Sequence, residues 1–375
     1  MNNPIIVMLL GFLPNHRLLR RIELEKEIGT VHLICWDRGA DMMPPPSEKG
    51  ITVHIINIPA GSDPLKRLVP TRKFSQQATQ ILKQIKPQII HVQGLDMLQI
   101  AASFKNRSKT SVKIIYEVAD LHRYIIDNQK DLLHKLVKWY LVRADRRLEK
   151  SYEFLIETSE AFYDTYFKEF VPRDKVLYMP NMPDLSIYDS YKKKKEGDFT
   201  IGYIGGVRYK KQIHNLIEAA RICKVKLLIA GFEDEPVELE PICKADPNIE
   251  WVGRFNYAEQ APLLYGKCDV MYSVYDADMA NVRVALPNKL YESVYCEMPI
   301  IVAKDTYLAE VVERWGVGLA VDHRTSDELI EAIGNLKNKK VMDLLVNNCI
   351  KQKRILSSMK PNDSFVIVLS QLAQV

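Results

Sequence analysis

FTIGYIGGVRYKK, residues 199–211, runs from an apolar stretch through a glycine pair into basic residues that open a helical pattern. Phe199–Ile204 is short, apolar and rich in β-formers, and reads as a buried strand. Gly205-Gly206 reads as a tight turn, and Ile213–Cys223 carries apolar residues at helical spacing. Strand, glycine turn and helix together form a first βα unit of an open parallel sheet. This unit begins in mid-chain. The segment before it, Tyr188–Asp198 (YDSYKKKKEGD), is polar and charged and reads as an interdomain linker. The lysine run Lys192–Lys195 has a rival reading as a localisation or lipid-binding signal.

The same alternation continues outward in both directions. After the linker, further strands are expected at Val225–Ala230, Ile249–Val252, Val270–Val274, Ile300–Ala303 and Leu319–Val321, with a helix at Asp327–Leu336. Before it, strands are expected at Ile5–Leu10, Val31–Cys35, Val53–Ile58, Ile89–Val92, Lys113–Val118, Phe154–Glu157 and Val176–Met179. Helices fit at Thr71–Ile85 and Lys130–Ser151. Several strands are continuously apolar, as parallel strands covered on both faces are. The expectation is α/β: two doubly wound, Rossmann-like domains facing a cleft. Residues 1–190 form the first domain, 191–198 the linker, 199–357 the second, and 358–375 a final helix that packs across the domain junction.

Composition agrees with this. The chain has 375 residues, 47% hydrophobic and 26% charged, which excludes a disordered chain or a disulfide-stapled scaffold. Six scattered cysteines form no CxxC pair, so zinc and disulfide chemistry are not expected, and a reducing cytoplasm is. Ile5–Leu10 lacks the flanks of a signal peptide, and no apolar run reaches membrane-spanning length. Residues 1–195 hold 31 Lys and Arg against 22 Asp and Glu, whereas residues 196–375 hold 21 against 25. A basic first half suits an anionic membrane surface or a phosphorylated substrate. No nucleic-acid motif accompanies it.

In open α/β sheets ligands bind at the carboxyl ends of strands, and three such ends stand out here. At Gly205-Gly206 the backbone can approach a ligand, while the following helix N-terminus, Arg208 and Lys211 supply positive charge for a diphosphate. A turn flanked by solvated basic residues is the plainer alternative. At Leu286-Pro287-Asn288-Lys289-Leu290-Tyr291-Glu292, Pro287 suits a helix start, and Glu292 can accept hydrogen bonds from both hydroxyls of a ribose. Ala230-Gly231-Phe232 is a third strand end. In the first half, Asp120 follows a strand and suits acceptor binding or deprotonation, with a helix cap as its rival role. His91 ends another strand and suits orientation of an acceptor, with a structural histidine as the alternative.

Gly205-Gly206-x-Arg208-x-x-Lys211, then Pro287-Asn288-Lys289-Leu290-Tyr291-Glu292 and Met298-Pro299-Ile300-Ile301, resemble the donor domain of family 4 glycosyltransferases of GT-B fold. Ile89–Gly94, Tyr116–Leu121, Thr158-Ser159-Glu160 and Met179-Pro180-Asn181 resemble that family's first domain. The resemblance spans about residue 85 to 322. It implies a hexosyl- or N-acetylhexosaminyl-transferase of bacterial surface-polysaccharide type. Such an enzyme moves a sugar from a nucleotide-sugar to a glycan or lipid-linked acceptor, usually with retention and without a metal or other cofactor. Arg208 and Lys211 would neutralise the departing diphosphate, and Gly205, Gly206, Asn288, Lys289 and Glu292 would bind the donor. Asp120 would be the third catalytic residue, and His91 would lie on the acceptor side.

The family's pattern often places an acidic residue eight positions before Glu292, where this chain has Val284, with Asp276, Asp278 and Asn281 nearby. An Arg usual beside the first glycine is replaced by Gly206. Asp276-Ala277-Asp278 spells the DxD of metal-dependent GT-A transferases, but a tandem of doubly wound domains does not fit their single-domain plan. A UDP-sugar 2-epimerase of the same architecture and a non-catalytic nucleotide-sugar-binding subunit are the alternatives.

Lys130–Lys150, KDLLHKLVKWYLVRADRRLEK, reads as one amphipathic helix. At about 100° per residue, Leu133, Val137, Tyr140, Leu141, Ala144 and Leu148 form an apolar stripe expected to face the core. Lys135, Arg143, Arg146, Arg147 and Lys150 surround Trp139 opposite it, while Asp131, Asp145 and Glu149 gather on another edge. A Trp among cations suits the headgroups of an anionic bilayer, so peripheral attachment to the inner face of the plasma membrane is a further expectation.

Overall fold

The computed structural model describes residues 3–39, 50–61, 67–109, 111–127, 131–193, 197–233 and 235–374. Lys130, Lys194 and Lys195 of the stretches above lie outside the described residues. Two compact units emerge, one reaching to Pro180 and including the C-terminal stretch from Lys360, the other running from Asn181 to Met359.

The first unit contains β1 (Ile5–Leu10), β2 (Thr30–Asp37), β3 (Ile51–Asn57), β4 (Ile89–Gln93), β5 (Lys113–Val118), β6 (Phe154–Glu157) and β7 (Val176–Tyr178). They form one sheet in the order β3-β2-β1-β4-β5-β6-β7, every pairing parallel. The second contains β8 (Thr200–Ile204), β9 (Lys226–Ala230), β10 (Ile249–Gly253), β11 (Val270–Ser273), β12 (Ile300–Ala303) and β13 (Gly318–Val321). Their order is β10-β9-β8-β11-β12-β13, again all parallel. In each sheet the strand order reverses between the first and fourth strand. That switch point is where doubly wound sheets open a crevice for ligands.

The second sheet shows why its strands are apolar throughout. Along β8, Ile201 and Tyr203 join one core cluster while Ile204 joins another; Leu227 and Ile229 likewise part from Leu228 and Ala230 on β9. With period-two alternation both faces are buried, so no polar face remains.

The chain passes from one unit to the other at Pro180, earlier than the expected linker. Tyr188 is the reason: it is buried and packs edge-on to Tyr265, which ties residues 185–190 to the second unit. The final helix, Pro361–Ala373, belongs with the first unit. Its Phe365 and Leu369 are buried in that unit's core.

The helix expected at Lys130–Ser151 spans Leu132–Leu148, capped by Asp131, which accepts from the His134 amide at 2.8 Å. Its orientation corrects the sequence expectation. Leu133 and Tyr140 are exposed, and the buried positions are His134 and Asp145. Asp145 accepts from the Tyr166 hydroxyl at 2.9 Å, and burial lifts its carboxyl to about 6. The inward side is centred on His134 and the hydrogen-bonded Asp145, with Val137, Leu141, Ala144 and Leu148 of the expected stripe half-buried beside them.

Candidate active site

The Gly205-Gly206 turn sits at the switch point of the second sheet, directly after β8. Its neighbours fix it closely. The Gly205 amide donates to the Ala230 carbonyl at 2.8 Å, Val207 to Phe232 at 2.9 Å, and Gly231 to Gly253 at 2.8 Å, so three strand ends are laced together. The Tyr203 hydroxyl donates to the Gly206 carbonyl at 2.6 Å. Gly205 has φ +138°, which L side chains rarely adopt, and a Cβ there would lie 2.7 Å from Lys289 Nζ. A Cβ on Gly231 would meet the Gly205 carbonyl oxygen at 1.9 Å. Both positions require glycine.

Behind the turn lies Lys289, in the first turn of the helix Asn288–Tyr295. Its ammonium donates to the Tyr275 hydroxyl at 3.0 Å and lies 4.9 Å from the ring centre of Tyr203. Burial opposes its charge, but Tyr275 and Tyr203 outweigh burial and raise its pKa. Tyr275 also stacks on Tyr209 at 4.7 Å, which joins the loop after β11 to the start of the helix Lys210–Cys223. Asn288 Oδ1 and, at the end of β11, Ser273 Oγ are buried without a hydrogen-bond partner among the described residues.

Arg208 and Lys211 are exposed on the same edge. Arg208 folds over the turn, its Nε 3.4 Å from where a Gly206 Cβ would stand. Neither forms an ion pair among the described residues; the adjacent Lys210 does, with Glu233 at 3.4 Å. Lys211 lies near enough to Asp278 to help hold that carboxyl below its ordinary value, after the larger effect of Arg324 at 2.6 Å. Asp276, Asp278 and the buried His323 gather with ligand atoms within 4.8 Å of one another. Arg324 already occupies one of the two carboxylates. Arg283 donates to the Ala277 carbonyl at 3.3 Å and braces this loop.

Glu292 lies one turn beyond Lys289 and is only 3% exposed. Tyr257 and Tyr265 each donate to one of its oxygens, the latter at 2.5 Å. Burial raises its pKa against those two hydrogen bonds and Lys289. Sequence reading missed both tyrosines, and no local pattern marks them. They stand 27 and 35 residues away on the helix Tyr257–Gly266.

The remaining candidates lie in the first unit. Asp120 is exposed in the turn after β5. His91 is 1% exposed, with Nδ1 2.6 Å from Glu25 and Nε2 3.3 Å from Glu117. Phe365 packs on its ring at 5.8 Å, and Arg17 and Arg21 pair with Glu117. Burial would lower the imidazole pKa, but the two carboxylates raise it to about 9. His91 therefore stands inside a buried charge network, beneath the final helix.

Two parallel, doubly wound sheets, the second with a glycine turn and two exposed cations at its switch point, define an α/β protein of two units. Family models sharpen this. Residues 23–182 match the glycosyl transferase 4-like domain, and residues 188–355 match glycosyl transferases group 1. The chain belongs to the family 4-like glycosyltransferases of GT-B architecture. It is 23% identical over 265 residues to the succinoglycan biosynthesis protein ExoL of Rhizobium meliloti, a match covering 67% of this chain and 64% of that protein, so the chain spans just under two thirds of that relative. Among solved structures, sucrose-phosphate synthase from Thermosynechococcus elongatus superposes with a TM-score of 0.69 at 13% identity, covering 99% of this chain and 98% of that one. Anabaena HepE in complex with UDP gives 0.66 at 16% identity, with 99% and 98% covered. At these identities the likeness is one of fold. No helix among the described residues is long and apolar enough to cross a membrane.

Proposed function

We propose that the chain transfers a hexosyl or N-acetylhexosaminyl group from a nucleoside-diphosphate sugar to a hydroxyl of a glycan or lipid-linked acceptor in polysaccharide assembly. The bond from the sugar's anomeric carbon to the β-phosphate oxygen breaks, and a bond to the acceptor oxygen forms. The acceptor gives up its proton, and the nucleoside diphosphate leaves. The observation that carries this reading is the Gly205-Gly206 turn at the switch point, with Arg208 and Lys211 exposed beside it and in no ion pair among the described residues. Negative charge grows on the leaving diphosphate, so cations already in place stabilise the transition state more than the ground state. The N-terminus of the helix Lys210–Cys223 adds its partial charge.

In this reading Lys289 supports the turn from behind, and the Asn288 oxygen, buried without a partner among the described residues, accepts from the donor. Glu292 binds the ribose: a carboxylate offers about four acceptor sites, and the tyrosines use two. Asp120 receives or orients the acceptor hydroxyl. No metal takes part, and the anomeric configuration is retained. HepE binds UDP, and ExoL serves succinoglycan biosynthesis, which supports a nucleotide-sugar donor and a polysaccharide role. The enzyme works at the cytoplasmic side of the membrane.

The test is release of nucleoside diphosphate from UDP-glucose and related donors, with and without a membrane-lipid extract as acceptor, in EDTA. Release that depends on acceptor and survives EDTA is expected. Interconversion of the sugar without acceptor would point to an epimerase, and loss of activity restored by Mn²⁺ would revive Asp276 and Asp278 as metal ligands.

A further inference from the structure

The helix Leu132–Leu148 keeps Val137, Leu141, Ala144 and Leu148 half-buried but presents a second group of large apolar side chains to solvent. Leu132, Leu133, Leu136, Trp139 and Tyr140 are all exposed, Leu132 by 73% and Trp139 by 62%. At about 100° per residue these five, with Arg143 and Arg147, fall within an arc of roughly 120°. The arc is apolar over its first two turns and cationic over its last two. Arg143 stands over the Trp139 ring at 5.6 Å. Along one flank an open groove of about 540 Å³ is lined by Lys135, Lys138, Trp139, Arg143, Arg146 and Arg147.

The carboxylates of this helix are kept off that face. Asp145 is buried beneath Tyr166, Glu149 pairs with Lys175 at 2.7 Å, and Asp131 is engaged as the helix cap. Of the cations, Arg146 pairs with Glu169. Lys135, Lys138, Arg143 and Arg147 form no ion pair among the described residues, so the face is both apolar and strongly positive.

We infer that the Leu132–Leu148 helix is a docking surface for an anionic lipid bilayer, lying in the plane of the interface. Its leucines and Trp139 would enter the boundary between headgroups and acyl chains, and its arginines and lysines would contact lipid phosphates. Charge complementarity selects an anionic partner. Five large apolar side chains on the same arc need a medium that admits them, which a bilayer interface does. No helix among the described residues can span, so attachment here lies on the membrane and does not cross it. The inference rests on the first unit alone and is independent of the donor site.

Co-sedimentation of the full chain with phosphatidylcholine vesicles, with and without about a third phosphatidylglycerol, tests it. Binding is expected only with the anionic lipid and is lost in high salt. Arg143→Gln with Arg147→Gln should lower partitioning by roughly 25-fold, at about fivefold per cation. Leu133→Ser with Leu136→Ser should weaken it while leaving nucleotide binding and thermal melting unchanged, since both side chains are already in water. Brominated acyl chains should quench the wild type and leave Trp139→Phe less quenched, although that variant still sediments. Equal binding to neutral vesicles, no binding, or insensitivity to these variants would overturn the inference. So would a dimer in sedimentation velocity, abolished by the leucine variants, which would give the face to a second copy of the chain.

Discussion

Lys289 Nζ lies 3.0 Å from the Tyr275 hydroxyl and directly behind Gly205, where a Cβ would stand 2.7 Å from it. A buried ammonium is thus wedged between an aromatic cage and the one backbone turn that the donor diphosphate is proposed to meet. Methionine at 289 keeps the bulk and removes the charge. Lys289→Met should weaken nucleoside-diphosphate binding by about tenfold, or roughly 1.4 kcal/mol. Gly205→Ala should be worse for both binding and melting temperature, because it combines the clash with a φ of +138°. Calorimetry and thermal melting of the two variants check this. A Lys289→Met protein that binds as the wild type does would separate the lysine from the site.

Glu292 is a buried carboxylate with its pKa raised by burial. Its charged form is therefore disfavoured by folding. Removing that charge should cost little stability at pH 7, where the wild-type carboxylate carries the desolvation cost. Glu292→Gln should melt within a few degrees of the wild type yet bind nucleoside diphosphate less tightly. A large fall in melting temperature with unchanged affinity would make Glu292 purely a clamp for Tyr257 and Tyr265.

His91 gives a pH dependence with a definite sign. Its folded pKa of about 9 exceeds an unfolded value of about 6.5, so the protonated imidazole stabilises the fold. That contribution is complete below about pH 6.5 and is lost as pH rises through about 9. The urea midpoint of the wild type should fall over this window, and His91→Gln should be less stable at pH 6 with a flatter profile. Parallel profiles for the two proteins would remove His91 as the titrating group.

The strands were legible because burial on both faces leaves continuous apolar runs such as Ile89–Val92 and Ile300–Ala303. The glycine turn was legible because its two functions, close approach and unusual φ, both select glycine. The orientation of the Leu132 helix was not. The periodic pattern there is broad, and the contact of Asp145 with Tyr166 joins residues 21 apart. His91 and Glu292 were legible as chemistry but not as surroundings. Glu25, Glu117, Tyr257 and Tyr265 come from other elements, and only the packed fold brings them near.

In the proposed reaction a nucleoside diphosphate is seated at Gly205-Gly206 with Arg208 and Lys211 facing its phosphates. Calorimetric titration of UDP, GDP, ADP and CDP into the wild type, Arg208→Ala and Lys211→Ala measures this directly. One nucleotide should bind the wild type, and each variant should bind it at least tenfold more weakly; in turnover the same variants should lose roughly 2–4 kcal/mol of transition-state stabilisation. Binding of none of the four nucleotides, or equal affinity in all three proteins, would contradict it.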